Sequence, residues 1–436
     1  MKLDTKALRY LASEDWNVLA AVERGSRDHE LVPTSLIEKY ARVKGGVNGV
    51  HRSISALAKV GLIARVKEAK YDGYRFTYGG FDYLALHDLS KRKEIYSVGS
   101  RVGVGKESDI TMVADHEGVQ KILKIHRLGR ISFRSVKTNR DYLKNRQSGS
   151  WQYLSRLAAM KEFAFMKVLR EEGFPIPEPI AQSRHTVLME FVDSTLMRQI
   201  SAVPDPATLY GDLIDLILRF GKHGLIHGDF NEFNLLIKEV SSVEFTESGE
   251  EKETITLVPI VIDFPQMVSM DHVNAEMYFD RDVNCIKRFF ERKFDFVSTT
   301  PGPFFKDAKK TLGRDGVRRL DAAAEASGFT KKMAKDLEKA IREQETLKEQ
   351  NGGRDDEGDD DDDDDDDDDE DGDEDEEGGG FGNEETEGTA TDAADNTREQ
   401  DRTPETEEVD TQRLSKLAIA DGDSIQNLPN ASLLTA

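Results

Sequence analysis

The segment IHGDFNEFN at 226–234 sets a carboxylate and a carboxamide five positions apart, at Asp229 and Asn234. A carboxylate at Asp229 can orient a nucleophile and accept its proton, and the Asn234 side-chain oxygen can ligate a metal ion carried on phosphates. A second acid, Asp263, follows the apolar and β-branched residues Val258, Ile260, Val261 and Ile262 and precedes Phe264. An acid at the end of such a strand is placed to hold magnesium. Asp229 and Asp263 are therefore the candidate catalytic groups, and Asn234 and Asp263 the candidate metal ligands. Each alone is compatible with an ordinary cap or turn, but the set in this order points to phosphoryl transfer from ATP·Mg2+.

Upstream, GSRVGVGKESDI at 99–110 places Gly99, Gly103 and Gly105 where bare backbone amides can approach phosphate oxygens. Gly103, Val104, Gly105, Lys106, Glu107 and Ser108 are the candidate phosphate cradle. A hairpin's length later, Lys124 in the strand-like VQKILKIH offers a point charge for the α and β phosphates. It needs a carboxylate on the following helix. Glu162 lies on that helix's inward stripe, four residues after Ala158 and seven before Leu169, where a lone charge is costly unless paired. LMEFV at 188–192 ends another strand and starts a crossover, which makes Met189, Glu190 and Val192 candidates for an adenine-binding hinge.

The elements that must position these groups are legible in outline. Residues 1 to about 90 read as three helices and a hairpin, a winged helix, with Pro33 in a first helical turn and Asp72-Gly73 as the hairpin turn. The helix from about Asn48 to Val60 sets His51, Arg52 and Lys59 beside Ile54, Leu57 and Ala58, the pattern of a recognition helix. Leu86 to Ile95 reads as a connecting helix. A small sheet lobe is expected over 91–188 and a helical lobe over 189–300. Within the first, 127–150 reads as a mobile basic loop opening with Arg127. A helical extension over 301–350 includes a helix at 331–349, and ESGEEKE at 247–253 reads as a hairpin tip. The fold class is thus α+β, a winged helix followed by a two-lobed domain and a disordered acidic tail.

The charge is divided unevenly along the chain. The 436 residues carry a net −24, yet 351–436 hold 34 acids and 5 bases, leaving 50 acids and 55 bases in 1–350. The body is mildly basic and the tail is a polyanion whose self-repulsion opposes folding. Residues 1–93, with 17 Lys and Arg against 11 Asp and Glu, suit a phosphate backbone as partner. Cys285 is the only cysteine, which excludes an intramolecular disulfide and a cysteine metal cage and fits a reducing compartment. The N-terminus lacks a signal-peptide pattern and no apolar run has the length of a membrane helix. A protein that is neither secreted nor bound to membrane is expected.

Taken together, GVGKESDI, LKIHRLGRISFR, MKEFAFMKVL, IHGDFNEFN, IDFPQMVS and YFDRDVNCIKRFF resemble the RIO-type atypical kinases of the type 2 subfamily, over about residues 1–300. That resemblance implies a winged helix joined to a two-lobed RIO kinase domain. It also implies work in late cytoplasmic maturation of the small ribosomal subunit precursor, with that particle, its rRNA and assembly factors as partners. It implies an ATPase in which the metal-binding acid, here Asp263, becomes a transient phosphoaspartate. Departures from ordinary kinases fit this: Gly228 replaces the arginine that reads a phosphorylated activation loop, Pro265 follows Asp-Phe, and no Ala-Pro-Glu comes after. Ile131 stands where the basic loop is expected to carry threonine, leaving Ser132 or Ser135 for any phosphorylation there. Two other readings compete. One is an RNA-binding winged helix with a degenerate kinase-like module, and the other a chaperone acting through its acidic tail. LSKLAIADGDSIQNL at 414–428 has the look of an export signal, which would bring a nuclear export receptor and shuttling.

Overall fold

A computed structural model of the chain describes residues 3–66, 71–105, 107–128, 151–245, 251–326, 333–337 and 339. The acidic tail, the export-like segment, Ser132, Ser135, the acidic tip at 246–250 and most of the basic loop lie outside the described residues.

The N-terminal region is a winged helix. Helices α1 (Ser13–Gly25), α2 (Thr34–Ala41) and α3 (Gly46–Lys59) bury Val18, Leu19, Val22, Ile37, Val50, Ile54 and Leu57 in one cluster. Strands β1 (Val32–Pro33), β2 (Ile63–Arg65) and β3 (Gly73–Phe76) form an antiparallel sheet in the order β1-β3-β2. Two details depart from the sequence reading. Pro33 ends β1 and caps α2 in extended backbone, φ −60° and ψ 140°, instead of entering the helix, because one fixed φ serves both elements. Gly73 opens β3 instead of turning the hairpin, because β2 ends at Arg65 and leaves a connection longer than a two-residue turn.

Helix α4 (Tyr78–Lys91) begins eight residues earlier than the expected connecting helix, capped by Thr77, whose hydroxyl accepts from Gly80 N. It is buried on nearly all sides from Gly80 to Leu86, as a helix between two cores must be. Phe81, Tyr83 and Leu84 enter the winged-helix core, whereas Leu86 and Leu89 join Ile95, Val113, Leu123 and Ile125 of the next sheet.

That sheet is antiparallel, in the order β4-β5-β6-β8-β7, from β4 (Ser97–Val104), β5 (Ser108–Ala114), β6 (Gln120–His126), β7 (Pro179–Ser183) and β8 (Thr186–Glu190). Helix α5 (Trp151–Glu171) packs on it through Ala159, Phe165, Met166 and Leu169 and ends at Gly173, whose φ of +72° suits a residue without Cβ. Of the helix expected over 331–349, residues 333–337 are helical, and Met333, Ala334 and Leu337 pack on Leu154, Leu157 and Ala158 of α5.

In the second lobe β9 (Thr195–Leu196) is followed by α6 (Pro206–Lys222), which starts with Pro206 behind an Asp205 cap. Strand β10 (Leu225–Ile226) pairs with β13 (Val268–Ser269), and β11 (Leu235–Phe245) with β12 (Glu251–Val261). These two pairs clamp the ends of both reactive loops. Residues 251–253 of the acidic insert belong to β12, so the tip is shorter than expected. Helix α7 (Ala275–Phe294) backs the loops, and Phe174, Phe220, Phe230, Phe264, Phe279 and Phe290 fill the core. Among the described residues no helix is long and apolar enough to cross a membrane.

Candidate active site

Lys124 projects from β6 into the space between sheet and helical lobe. Its Nζ donates to Glu162 Oε1 and to Asp263 Oδ1, both at 2.8 Å. Burial disfavours the ammonium, but Asp263 and then Glu162 outweigh it and push the Lys124 pKa above its ordinary value. Glu162 stands on α5 because the helix turns its inward stripe to the sheet. Burial would raise its pKa, yet Lys124 and His126 hold it below the usual carboxylate range. The second Glu162 oxygen lies 2.7 Å from His126 Nε2, a partner that nothing in the residue pattern singles out.

Asp229 is fixed by its own loop. Asn231 donates to Asp229 Oδ1 at 2.8 Å, and the Asn234 amide donates to Asp229 Oδ2 and to its carbonyl, both at 2.9 Å. With its amide nitrogen so engaged, Asn234 has its side-chain oxygen as the group to offer a cation. Burial first, and the nearby Asp263 charge second, raise the Asp229 pKa, which suits a group that must accept a proton. Gly228 has φ +80°, and a Cβ there would meet the Gln266 carbonyl oxygen at 2.7 Å. The departure from an arginine is therefore dictated by the backbone.

Asp263 also has positive φ, +72°, which for a residue with Cβ stores on the order of 1 to 3 kcal/mol. Its loop is held by Ile262 N to Asn234 O at 3.0 Å and by His227 Nε2 at 3.2 Å from Ile262 O. Burial takes the His227 pKa down to about 4, so the ring is neutral.

Asp282 on α7 lies within YFDRDVNCIKRFF, and its role emerges only from the fold. Its carboxylate accepts from Gly228 N at 2.8 Å and Phe230 N at 3.1 Å, clasping the catalytic loop from behind. Burial pushes its pKa up to about 7 despite those bonds. Arg281 donates to the Gly228 carbonyl. The available signal was one acid on an inward stripe between Phe279, Val283 and Ile286, the same signal that selected Glu162.

A cavity beside these groups is lined by Glu107, Ser108, Lys124, His126, Leu128, Ala158, Asp263, Pro265, Gln266 and Leu337. Gly103 and Val104 end β4, Gly105 N donates to Ser108 O at 2.7 Å, and Lys106 lies outside the described residues. Met189 is buried at the end of β8 and Val192 half-buried beyond it. Glu190 pairs its N–H with Glu178 O and its carboxylate with Glu178 N, bracing the crossover. The structure thus joins Lys124, Glu162 and Asp263 directly and sets Asp229 against Asn234, with the hinge candidates at and just beyond the end of β8.

Among the described residues no group of three or more His, Cys, Asp or Glu could hold a metal alone. Asn234 and Asp263 supply two hard oxygens, a set that suits Mg2+, which takes its remaining ligands from water and phosphate.

Arg127 corrects the sequence reading most. Expected at the head of a mobile basic loop, it is 2% exposed and paired with Asp82 and Asp109. Once buried, a guanidinium needs carboxylates within reach to compensate its charge and fill its donors, and Asp82 and Asp109 do so.

The chain matches the family model of the RIO domain over residues 109–246 and 254–301 and the model described as Rio2, N-terminal, over 8–92. It is 52% identical over 339 residues to the serine/threonine-protein kinase rio2 of Schizosaccharomyces pombe, covering 78% of this chain and 92% of that protein. The RIO2 kinase of Saccharomyces cerevisiae is 46% identical over 355 residues, covering 78% and 81%. A crystal structure of the Rio2 kinase-ADP/Mg2+-phosphoaspartate complex from Chaetomium thermophilum is 73% identical. It covers 79% of this chain and all of that one, with a TM-score of 0.71.

Proposed function

The chain belongs to the Rio2 group of the RIO kinases, and from that membership we propose that it hydrolyses ATP·Mg2+ through a phosphoaspartate on Asp263 and so controls its association with the small-subunit ribosomal precursor. It is a RIO-type serine/threonine-protein kinase. The observation that carries the proposal is the placement of Asp263, paired to Lys124 at 2.8 Å and coupled to the Asp229 carboxylate, in a chain 73% identical to one crystallised as a phosphoaspartate complex.

In this mechanism Lys124 holds the α and β phosphates once Asp263 turns from it toward the nucleotide. Bound Mg2+, held by Asn234 and Asp263, neutralises charge on the phosphates. An Asp263 oxygen attacks the γ-phosphorus, the bond to the bridging oxygen breaks, and ADP leaves with that oxygen. Asp229 then takes a proton from water as the water attacks the acyl phosphate, releasing inorganic phosphate and restoring the carboxylate.

The winged helix supplies the contact with rRNA. Helix α3 exposes Asn48, His51, Arg52, Ser55 and Lys59 along one face, and this mixture of cations and short polar groups suits a phosphate backbone. Assembly factors would be neighbours on the same particle, and the protein would work in the cytoplasm, with passage through the nucleus if residues 414–428 engage an export receptor. Measuring ATP turnover and retention on precursor particles tests the reading: ATP should release the intact chain, and Asp229→Ala should stay bound. Equal retention of both, with no turnover in either, would favour a binding module. Neutralising Arg52 and Lys59 should weaken RNA affinity and flatten its salt dependence.

A further inference from the structure

Arg127 is the first residue after β6, three positions beyond Lys124, and it binds in three directions. Its backbone N–H donates to Glu107 O at 2.6 Å, in the phosphate loop itself. Its Nε donates to Asp109 Oδ2 at 3.0 Å, at the start of the strand into which that loop runs. Its two terminal nitrogens donate to the two oxygens of Asp82, both at 2.7 Å, and Asp82 belongs to α4, the last helix of the winged-helix region.

The far side of Asp82 is also fixed. His185 Nε2 lies 2.8 Å from Asp82 Oδ1, and the imidazole stacks on Phe81 at 4.2 Å between centroids. Asp82, Arg127, Asp109 and His185 are all buried. A forked guanidinium on a carboxylate fixes angle as well as distance, and a buried one cannot keep its place without that partner. The two residues it grips there, Glu107 and Asp109, flank Ser108, where the chain leaves the loop whose backbone must be aimed at phosphate oxygens.

We propose that Arg127 is a positioning residue of the phosphate loop and that Asp82 sets it, so that the winged-helix region is a working part of the ATP site. The proposal rests on the nucleotide reading of the Lys124 site. Its consequence is reciprocal. A ligand on the winged helix that shifts α4 changes ATP affinity, and ATP changes that ligand's affinity by the same factor.

The test uses the full chain, with ATP·Mg2+ affinity from calorimetry and steady-state kcat and KM. Asp82→Asn and Arg127→Lys should each raise KM about tenfold with kcat at saturation nearly unchanged, because loop order is lost before the chemical step. The double variant should be no worse than either single one, since both break one chain of contacts. Glu23→Gln is the control. It cuts the Arg184–Glu23 pair, another tie between the winged helix and the sheet that does not reach the loop, and should leave KM unchanged. If Asp82→Asn does not fold, Asp82→Glu, which displaces the charge by one methylene, carries the same expectation. Wild-type ATP affinity in the Asp82 and Arg127 variants, or an equal rise in KM for Glu23→Gln, would overturn the proposal. Absence of ATP binding by the wild-type chain would instead overturn the nucleotide reading on which it rests.

Discussion

Lys124 and Arg127 lie three residues apart, and each is a buried cation clasped by two carboxylates and attended by a histidine. Around Lys124 stand Glu162 and Asp263, with His126 on Glu162; around Arg127 stand Asp82 and Asp109, with His185 on Asp82. The two clusters differ in one respect that decides their roles. The Asp263 side chain is 38% exposed on strained backbone, whereas those of Asp82 and Asp109 are 3% exposed. A closed ion cluster can only hold, because nothing reaches it. One carboxylate left open turns the same arrangement into a place where the Lys124 ammonium can exchange a carboxylate partner for a phosphate.

The comparison can be broken most forcefully at the closed cluster. Arg127→Ala strands two buried carboxylates and should lower the unfolding free energy by about 3 to 5 kcal/mol in denaturant titrations. At the open cluster the loss should be kinetic. Asp229→Asn should reduce kcat by about 10²- to 10³-fold while leaving the melting temperature nearly unchanged. A large stability loss there, or a purely kinetic one at Arg127, would dissolve the distinction.

Asp282 sharpens it through pH. Its folded pKa near 7 exceeds the unfolded value near 4, so the folded state resists its ionisation. Stability from this group therefore falls as pH rises from about 4 to 7, by at most about 1.4 kcal/mol per pH unit. Asp282→Asn should remove that fall in melts taken across the range. Glu162 acts in the opposite sense. With its pKa depressed by its partners, it stabilises above the unfolded value and loses that contribution as pH drops. Gly228→Ala should lose about 1 to 2 kcal/mol of stability to left-handed backbone and more besides, because its Cβ meets the Gln266 carbonyl oxygen at 2.7 Å, with a further loss in kcat as the loop shifts.

What the sequence made legible follows from how far apart the cooperating residues lie. Asp229 and Asn234 sit on one turn of chain, so their spacing announces them, and Asp263 is marked by the strand before it. Glu162 could be found because a lone acid on an apolar stripe demands a partner. The same argument applies to Asp82 within FDYLAL and to Asp282, but their partners are 45 and 54 residues away along the chain. Arg127 was hidden differently. The Gly, Ser and Arg residues after it read as a solvated loop, and only the arrival of α4 beside β6 turns that cation inward. The winged helix was legible from its periodicity, whereas the start of α4 was not, since Tyr78, Gly79 and Gly80 are poor helix formers held by the Thr77 cap.

On the proposed mechanism Asp263 is the open member of its cluster because it receives the phosphoryl group. Trapping the full chain during a single turnover of γ-labelled ATP·Mg2+ and mapping the covalent phosphate tests this directly. The expected product is a hydroxylamine-labile phosphate on Asp263, absent from Asp263→Asn. Label found only as a stable phosphate on serine or threonine, with turnover retained in Asp263→Asn, would contradict it.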